Sequence, residues 1–367
     1  MHGAGARKLS GMERMLISLV FVSLVACSSS HALEEDGGLP PLADAGLFED
    51  AAVPPDAGRP ITSCTPESFA LRGEGCFCSG PIALYGEALY RQAIGIEVYD
   101  LSDPVDPRLV TTVEERAGSE GGLAILGAHL VSVTNFEPLS VYSLADPLAP
   151  ARVGSLELPA SARGIAIEGE RAIVSMDGTE GSLLGLVDLR DPTAPRVEGS
   201  IPLPDVFVQG PVRVSAGSAW VMGHDRSESF SGEPVLVELE LATREVTIRA
   251  LGDESIALSG FDVEGGIAVT VAFEQPLRVY AIEPGALREI GRLEPGPELS
   301  YATSIELRAG LALTAGSGLV IVDLSDPTRP GILGASPAAS GAWIASTESH
   351  AYVSSGNGVM SFALGCE

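Results

Sequence analysis

Beyond residue 8 the chain contains no lysine. Lys8 is the sole example in 367 residues, so the rest of the protein has no side chain for Schiff-base or lysine general-base chemistry. Histidine is nearly as scarce. Apart from His2 and His31, only His129, His224 and His350 occur, each in a different part of the chain. A multi-histidine metal cage would need all three to converge. There is no G-x-S-x-G elbow, Walker loop, dinucleotide fingerprint, EF-hand or glycine-rich nonapeptide calcium loop. Positive charge is also short: 22 Lys and Arg face 49 Asp and Glu, a net charge of −27. Such a chain repels nucleic acid phosphates and anionic lipid, so no nucleic acid partner is expected. It attracts divalent cations and basic partners, weakly at physiological salt.

One apolar run stands out, from Leu16 to Ala26, after the basic residues Arg7, Lys8 and Arg14. It is too short to remain as a membrane span and reads as an export signal. Met12 and Met15 are alternative starts that would shorten its basic part. The run ends Leu24-Val25-Ala26-Cys27, which resembles the lipobox of bacterial lipoproteins. The resemblance implies that residues 1–27 are a signal peptide and that Cys27 is lipidated, becoming the anchored N-terminus. An ordinary cleaved signal with an incidental cysteine is the alternative. Residues 28–63 are rich in Asp, Ala, Gly and Pro, as in Asp44-Ala45-Gly46 and Pro54-Pro55-Asp56-Ala57-Gly58. They hold too few large apolar residues to offset ordering entropy, so a disordered acidic tether is expected. In composition it looks like the tethers of lipoproteins from myxobacteria and their relatives. Ser28 after the lipidated cysteine resembles the sorting pattern for an outer membrane. The expected location is therefore the cell envelope, at the outer membrane or cell surface rather than the inner membrane.

Residues 64–367 are organised by repetition. Val98-Tyr99-Asp100-Leu101-Ser102-Asp103-Pro104 returns as Val141-Tyr142-Ser143-Leu144-Ala145-Asp146-Pro147, as Val187-Asp188-Leu189-Arg190-Asp191-Pro192 and as Val322-Asp323-Leu324-Ser325-Asp326-Pro327. A spacing of roughly 40–50 residues between short apolar runs is that of propeller blades. Each repeat reads as an apolar strand, a turn, a second strand, the Val-Asp-Leu-type third strand, an Asp-Pro turn and a last strand. The Asp carboxylate can accept backbone N–H groups within its turn while Pro fixes φ, which gives these aspartates a structural role. Third strands fall near Val98, Val141, Val187, Val237, Val279, Val322 and Met360. The fourth and fifth copies keep the strand but lose the Asp-Pro turn.

The expected fold is all-β: a β-propeller of seven four-stranded blades, with six or eight blades as alternatives because two copies diverge. The chain ends soon after its seventh third strand, so the last blade needs a strand from elsewhere. Ser68-Phe69-Ala70-Leu71, ahead of the first repeat, is expected to close it. Cys64, Cys76, Cys78 and Cys366 remain after Cys27, an even number that suggests disulfides in an exported chain. Three connectivities are open. Ring closure favours Cys366 joined to one of the N-terminal three, and metal binding by Cys76-Phe77-Cys78 is the rival reading.

These strings carry a family resemblance. Leu186-Val187-Asp188-Leu189 and Leu319-Val320-Ile321-Val322-Asp323 resemble the LVIVD repeats of bacterial and archaeal surface and exported proteins. The likeness covers about Pro81 to Leu364 and implies a β-propeller. It implies no activity, since the family has no common catalytic residues.

Candidate chemistry is confined to the longer connections between second and third strands. Asn135-Phe136-Glu137, Met176-Asp177-Gly178-Thr179-Glu180, the stretch from His224 to Glu233, and Phe273-Glu274-Gln275 hold equivalent places. A propeller gathers such loops at one face, which would put Glu137, Asp177, His224, Asp225 and Glu274 on a common rim. Three functions are weighed. The first is a non-enzymatic binding scaffold on the envelope, with an envelope protein or glycan as partner. The second is an exported hydrolase or lyase with an acidic, calcium-assisted site, and the third is a structural or adhesive component. No catalytic residue is assigned, and no cofactor is expected unless calcium sits on the rim.

Overall fold

The computed structural model describes residues 64–68, 80–113, 121–135, 137–178, 181–226, 232–252, 258–337, 341–356 and 358–366. Cys27, the tether, Cys76 and Cys78 lie outside them. The described residues form 28 strands and no helix, arranged in seven four-stranded antiparallel sheets. Strand β1 (Cys64–Ser68) is set apart from its neighbours in sequence. Blade 1 follows with β2 (Ile82–Tyr85), β3 (Ala88–Gln92), β4 (Ile96–Asp100) and β5 (Arg108–Val113). Blade 2 has β6 (Gly121–Leu126), β7 (His129–Thr134), β8 (Leu139–Ser143) and β9 (Ala151–Leu156). Blade 3 has β10 (Ser161–Glu168), β11 (Arg171–Gly178), β12 (Gly181–Asp188) and β13 (Arg196–Leu203). Blade 4 has β14 (Val206–Ser215), β15 (Ser218–Asp225), β16 (Glu233–Glu240) and β17 (Val246–Ala250). Blade 5 has β18 (Leu258–Glu264), β19 (Ile267–Ala272), β20 (Leu277–Glu283) and β21 (Ala286–Leu293). Blade 6 has β22 (Ser304–Arg308), β23 (Leu311–Ala315), β24 (Leu319–Asp323) and β25 (Gly331–Ser336). Blade 7 has β26 (Gly341–Ser346), β27 (His350–Ser355) and β28 (Gly358–Cys366), with β1 as its fourth strand.

The first strand of each blade touches the first strand of the next, and β26 touches β2, so the ring closes. Where these inner strands begin, their backbones approach closely. A Cβ at Gly122 would crowd Ile165, one at Gly164 would crowd the Gly210 carbonyl, and one at Gly260 would crowd Ser304. Second and third strands are buried on both faces, as in β3 and β4. The outer strand β5 alternates exposed and half-buried, because only one of its faces is covered.

Seven apolar clusters fill the seven seams between blades. Tyr90 and Val98 of blade 1 pack with Leu123 and Tyr142 of blade 2. Trp343 and Tyr352 of blade 7 pack with Tyr99 and Leu101 of blade 1. Full burial of each such side chain contributes about 1.5–3 kcal/mol.

The closing strand differs from the expected Ser68–Leu71. It is Cys64–Ser68, paired antiparallel with β28, and residues 69–71 lie outside the described residues. An outer edge strand needs no apolar run, and it tolerates Pro66 because one side of its backbone is free of a ladder. Cys64–Ser68 accordingly carries no apolar run of its own.

Candidate functional site

Sheet order divides the propeller into two faces. The first-to-second hairpins and the third-to-fourth turns lie at one face, which we term the turn face. The second-to-third connections and the crossovers between blades lie at the other, the loop face.

On the turn face the Asp-Pro aspartates hold their own turns. Asp103, Asp146, Asp191 and Asp326 each accept a backbone N–H two residues on, from Val105, Leu148, Thr193 and Thr328 at 3.0–3.2 Å. Hydrogen bonding lowers the carboxyl pKa of Asp191, chiefly through the Thr193 hydroxyl, and of Asp326 through the Thr328 hydroxyl. At the end of the third strand, Asp100 is lowered to about 2 by the Ser102 N–H and Arg108, and Asp188 is lowered by Arg190. Each turn then rests on the preceding blade. Tyr90 of blade 1 donates to the Pro147 carbonyl of blade 2 at 2.8 Å, and Ser361 of blade 7 donates to the Pro104 carbonyl of blade 1 at 2.5 Å. Gly154 and Gly291 leave room for the Pro192 and Pro327 carbonyls of the following blades.

Where the Asp-Pro pair is lost, arginine makes the link. Arg249 of blade 4 donates to the Glu283 and Ala286 carbonyls of blade 5 at 2.6 and 2.9 Å, held by Glu238 of its own blade. Arg244 of blade 4 lies 3.8 Å from Glu198 of blade 3. Sequence reasoning missed these arginines, and no local motif marks them.

The rim candidates all fall at the loop face by topology, one or two from each of blades 2 to 5. Their settings differ from open loops. Asp177 lies within β11, paired with Ser182 of β12, rather than in a loop, because the two strands run on to Gly178 and Gly181. It sits 3.3 Å from the Arg163 guanidinium. His224 and Asp225 likewise belong to β15, opposite Pro234 and Glu233. The His224 ring is half-buried; burial, aided by the Arg226 charge, lowers its pKa and keeps it neutral. The Glu137 N–H is tied to the Thr134 hydroxyl at 3.0 Å. Glu274 is exposed in a turn. Among the described residues no group of three His, Cys, Asp or Glu is placed to hold a metal ion.

The loop face also carries exposed apolar side chains. Glu274 adopts a left-handed φ of 54°, and its N–H donates to the Ser300 carbonyl at 2.8 Å. A non-glycine residue held there costs of order 1–3 kcal/mol. That bond pins the β19–β20 turn to the crossover before β22. It sets Phe273 edge-on to Tyr301, ring centroids 5.0 Å apart. Both rings remain about half exposed, at 52% and 48%, and Ile94 in the β3–β4 turn is 68% exposed. Also at this face, in blade 4, Arg226 lies 4.2 Å over the Phe207 ring. The sequence showed Phe273 in a connecting loop but offered no signal joining it to Tyr301.

No family model matches the chain, and no curated protein matches it. The solved structures do. The β-propeller domain of Cps50 (Swd1) from Myceliophteria thermophila superposes with a TM-score of 0.58 at 12% identity, covering 82% of this chain and 98% of that one. It is among 1344 solved chains that match, so the likeness selects no activity. What it establishes is the fold, a seven-bladed β-propeller.

Proposed function

We propose that this chain is a lipid-anchored envelope protein of the LVIVD-repeat type, and that its propeller is a non-enzymatic scaffold binding an envelope protein through the loop face. The Phe273–Tyr301 pair carries the reading: two large rings, held by a strained turn, stand half exposed at one face of a rigid ring. Aromatic side chains of this kind anchor protein interfaces. Direction supports it. The chain enters β1 at Cys64, opposite Cys366 and hence at the turn face. A tether ending there is attached at the turn face and leaves the loop face free of it. The acidic surface favours a basic partner.

The test is retention from solubilised envelope on the full mature chain, compared with a Phe273→Ala, Tyr301→Ala double variant. A protein held through a salt wash, and held at least tenfold less by the variant, supports the reading. Equal retention by both chains, or retention lost entirely to salt, overturns it. A bound species that survives protease treatment and carries sugar would instead identify a glycan ligand. Separately, Cys27→Ala should move the protein from the membrane fraction to the soluble one.

A further inference from the structure

We infer that a disulfide between Cys64 and Cys366 locks the ring where its two ends meet. The argument rests on backbone register. Cys64 is the cross-strand partner of Cys366, Thr65 of Gly365 and Pro66 of Leu364. In an antiparallel ladder such pairs alternate between hydrogen-bonded and non-hydrogen-bonded. Two observations fix the phase. The Leu364 N–H is directed to Ser349 at the other side of β28, at 2.7 Å. Pro66 has no N–H to give. The Pro66–Leu364 pair is therefore non-hydrogen-bonded, and so is Cys64–Cys366, two residues further along.

That phase matters. Residues facing each other in a non-hydrogen-bonded pair share one face of the sheet, with Cα atoms about 4.5 Å apart. A disulfide requires a Cα separation of roughly 4.4–6.8 Å, so the pair is placed within bonding range without moving the backbone. The sequence left three pairings open; the register selects this one for Cys366.

Forming the bond requires a disulfide donor of the thiol–disulfide oxidoreductase class. One cysteine thiolate attacks the donor disulfide, giving a mixed disulfide. The second cysteine thiolate displaces the donor sulfur. The two thiols thereby give up two electrons and two protons, and the donor leaves as a dithiol.

The test uses the full chain, exported and purified without reductant, with free thiols alkylated before trypsin digestion. Cleavage after Arg72 separates Cys64 from Cys76 and Cys78, which lie on the 73–91 peptide, and cleavage after Arg308 releases the C-terminal peptide with Cys366. The expected result is a peptide ending at Arg72 linked to that C-terminal peptide, the two parting on reduction. An alkylated Cys366, or Cys366 linked to the 73–91 peptide, overturns the inference. A second readout is thermal: Cys64→Ser, Cys366→Ser and the double variant should all melt several degrees lower by the same amount, matching the reduced wild-type chain. Unequal or additive losses would count against a shared bond. Neither readout depends on a binding partner.

Discussion

Arg213 of blade 4 and Asp262 of blade 5 form an ion pair 3.1 Å across the seam, with side chains only 9% and 8% exposed. Asp262 also accepts the Leu307 N–H of blade 6 at 2.7 Å, so one carboxylate ties three consecutive blades at their inner strands. Asp262→Ala leaves a buried guanidinium and a buried N–H without this partner. We expect a loss of about 3–5 kcal/mol in urea unfolding. A loss below about 1 kcal/mol would show that the seam repacks without the charge.

The close approach of turn to preceding blade makes a second prediction. A methyl at Gly154 or Gly291 would overlap a proline carbonyl oxygen of the next blade, whereas one at Gly331 meets nothing. Gly154→Ala and Gly291→Ala should each cost about 1–3 kcal/mol. Gly331→Ala should stay within about 0.5 kcal/mol. Equal effects at all three positions would remove the idea that the Asp-Pro turns clasp their neighbours.

Stability should fall with acid in two stages. Burial depresses the pKa of His224, and also that of His350, so the folded state holds both rings neutral. The unfolded chain then takes up those protons first, and stability declines as pH drops through the ordinary histidine range near 6.5. Asp100, Asp188, Asp191 and Asp326 are depressed instead, Asp100 to about 2. Their contribution is complete above the ordinary aspartate value near 4 and is lost as pH falls through the folded values. Melting temperature against pH should show both declines. His224→Gln should flatten the upper one and Asp188→Asn the lower one.

Calcium should stabilise the chain no more than magnesium does. Asp177 already has Arg163 beside it, and the other rim carboxylates come from separate blades. A saturable rise in melting temperature with calcium alone would instead point to a cation site on the loop face.

The ring was legible because its repeat is written in residues that act locally. An Asp-Pro pair sets its turn through its own side chains, and β-branched third strands are buried on both faces, so the third strands can be read one by one. The features without a local signature depend on partners distant in sequence. Arg249 replaces a missing Asp-Pro contact by reaching carbonyls of the next blade, and nothing beside it in the chain announces this. Cys64–Ser68 is polar and contains proline, and only its pairing with β28 makes it a strand. Polar residues at Asp177 and Asp225 looked like loops, yet hairpin partners carry the strands through them. The candidate site was legible as a face and not as a geometry. The Phe273–Tyr301 pair joins a turn to a crossover, and no spacing rule links the two.

The position of β1 also sets an order of events. A ribosome delivers Cys64–Ser68 before any blade exists, and the strand it pairs with is the last of the described strands. Six blades can assemble from neighbours in sequence while the outer edge of blade 7 stays incomplete. Only when β28 emerges can the first-made strand be used. The closing contact joins residue 64 to residue 366, across all the other described strands, and its loop-closure cost falls on the final step. Removing the last residues of β28 should therefore release β1 and leave the outer edge of blade 7 unpaired, open to strands of other chains.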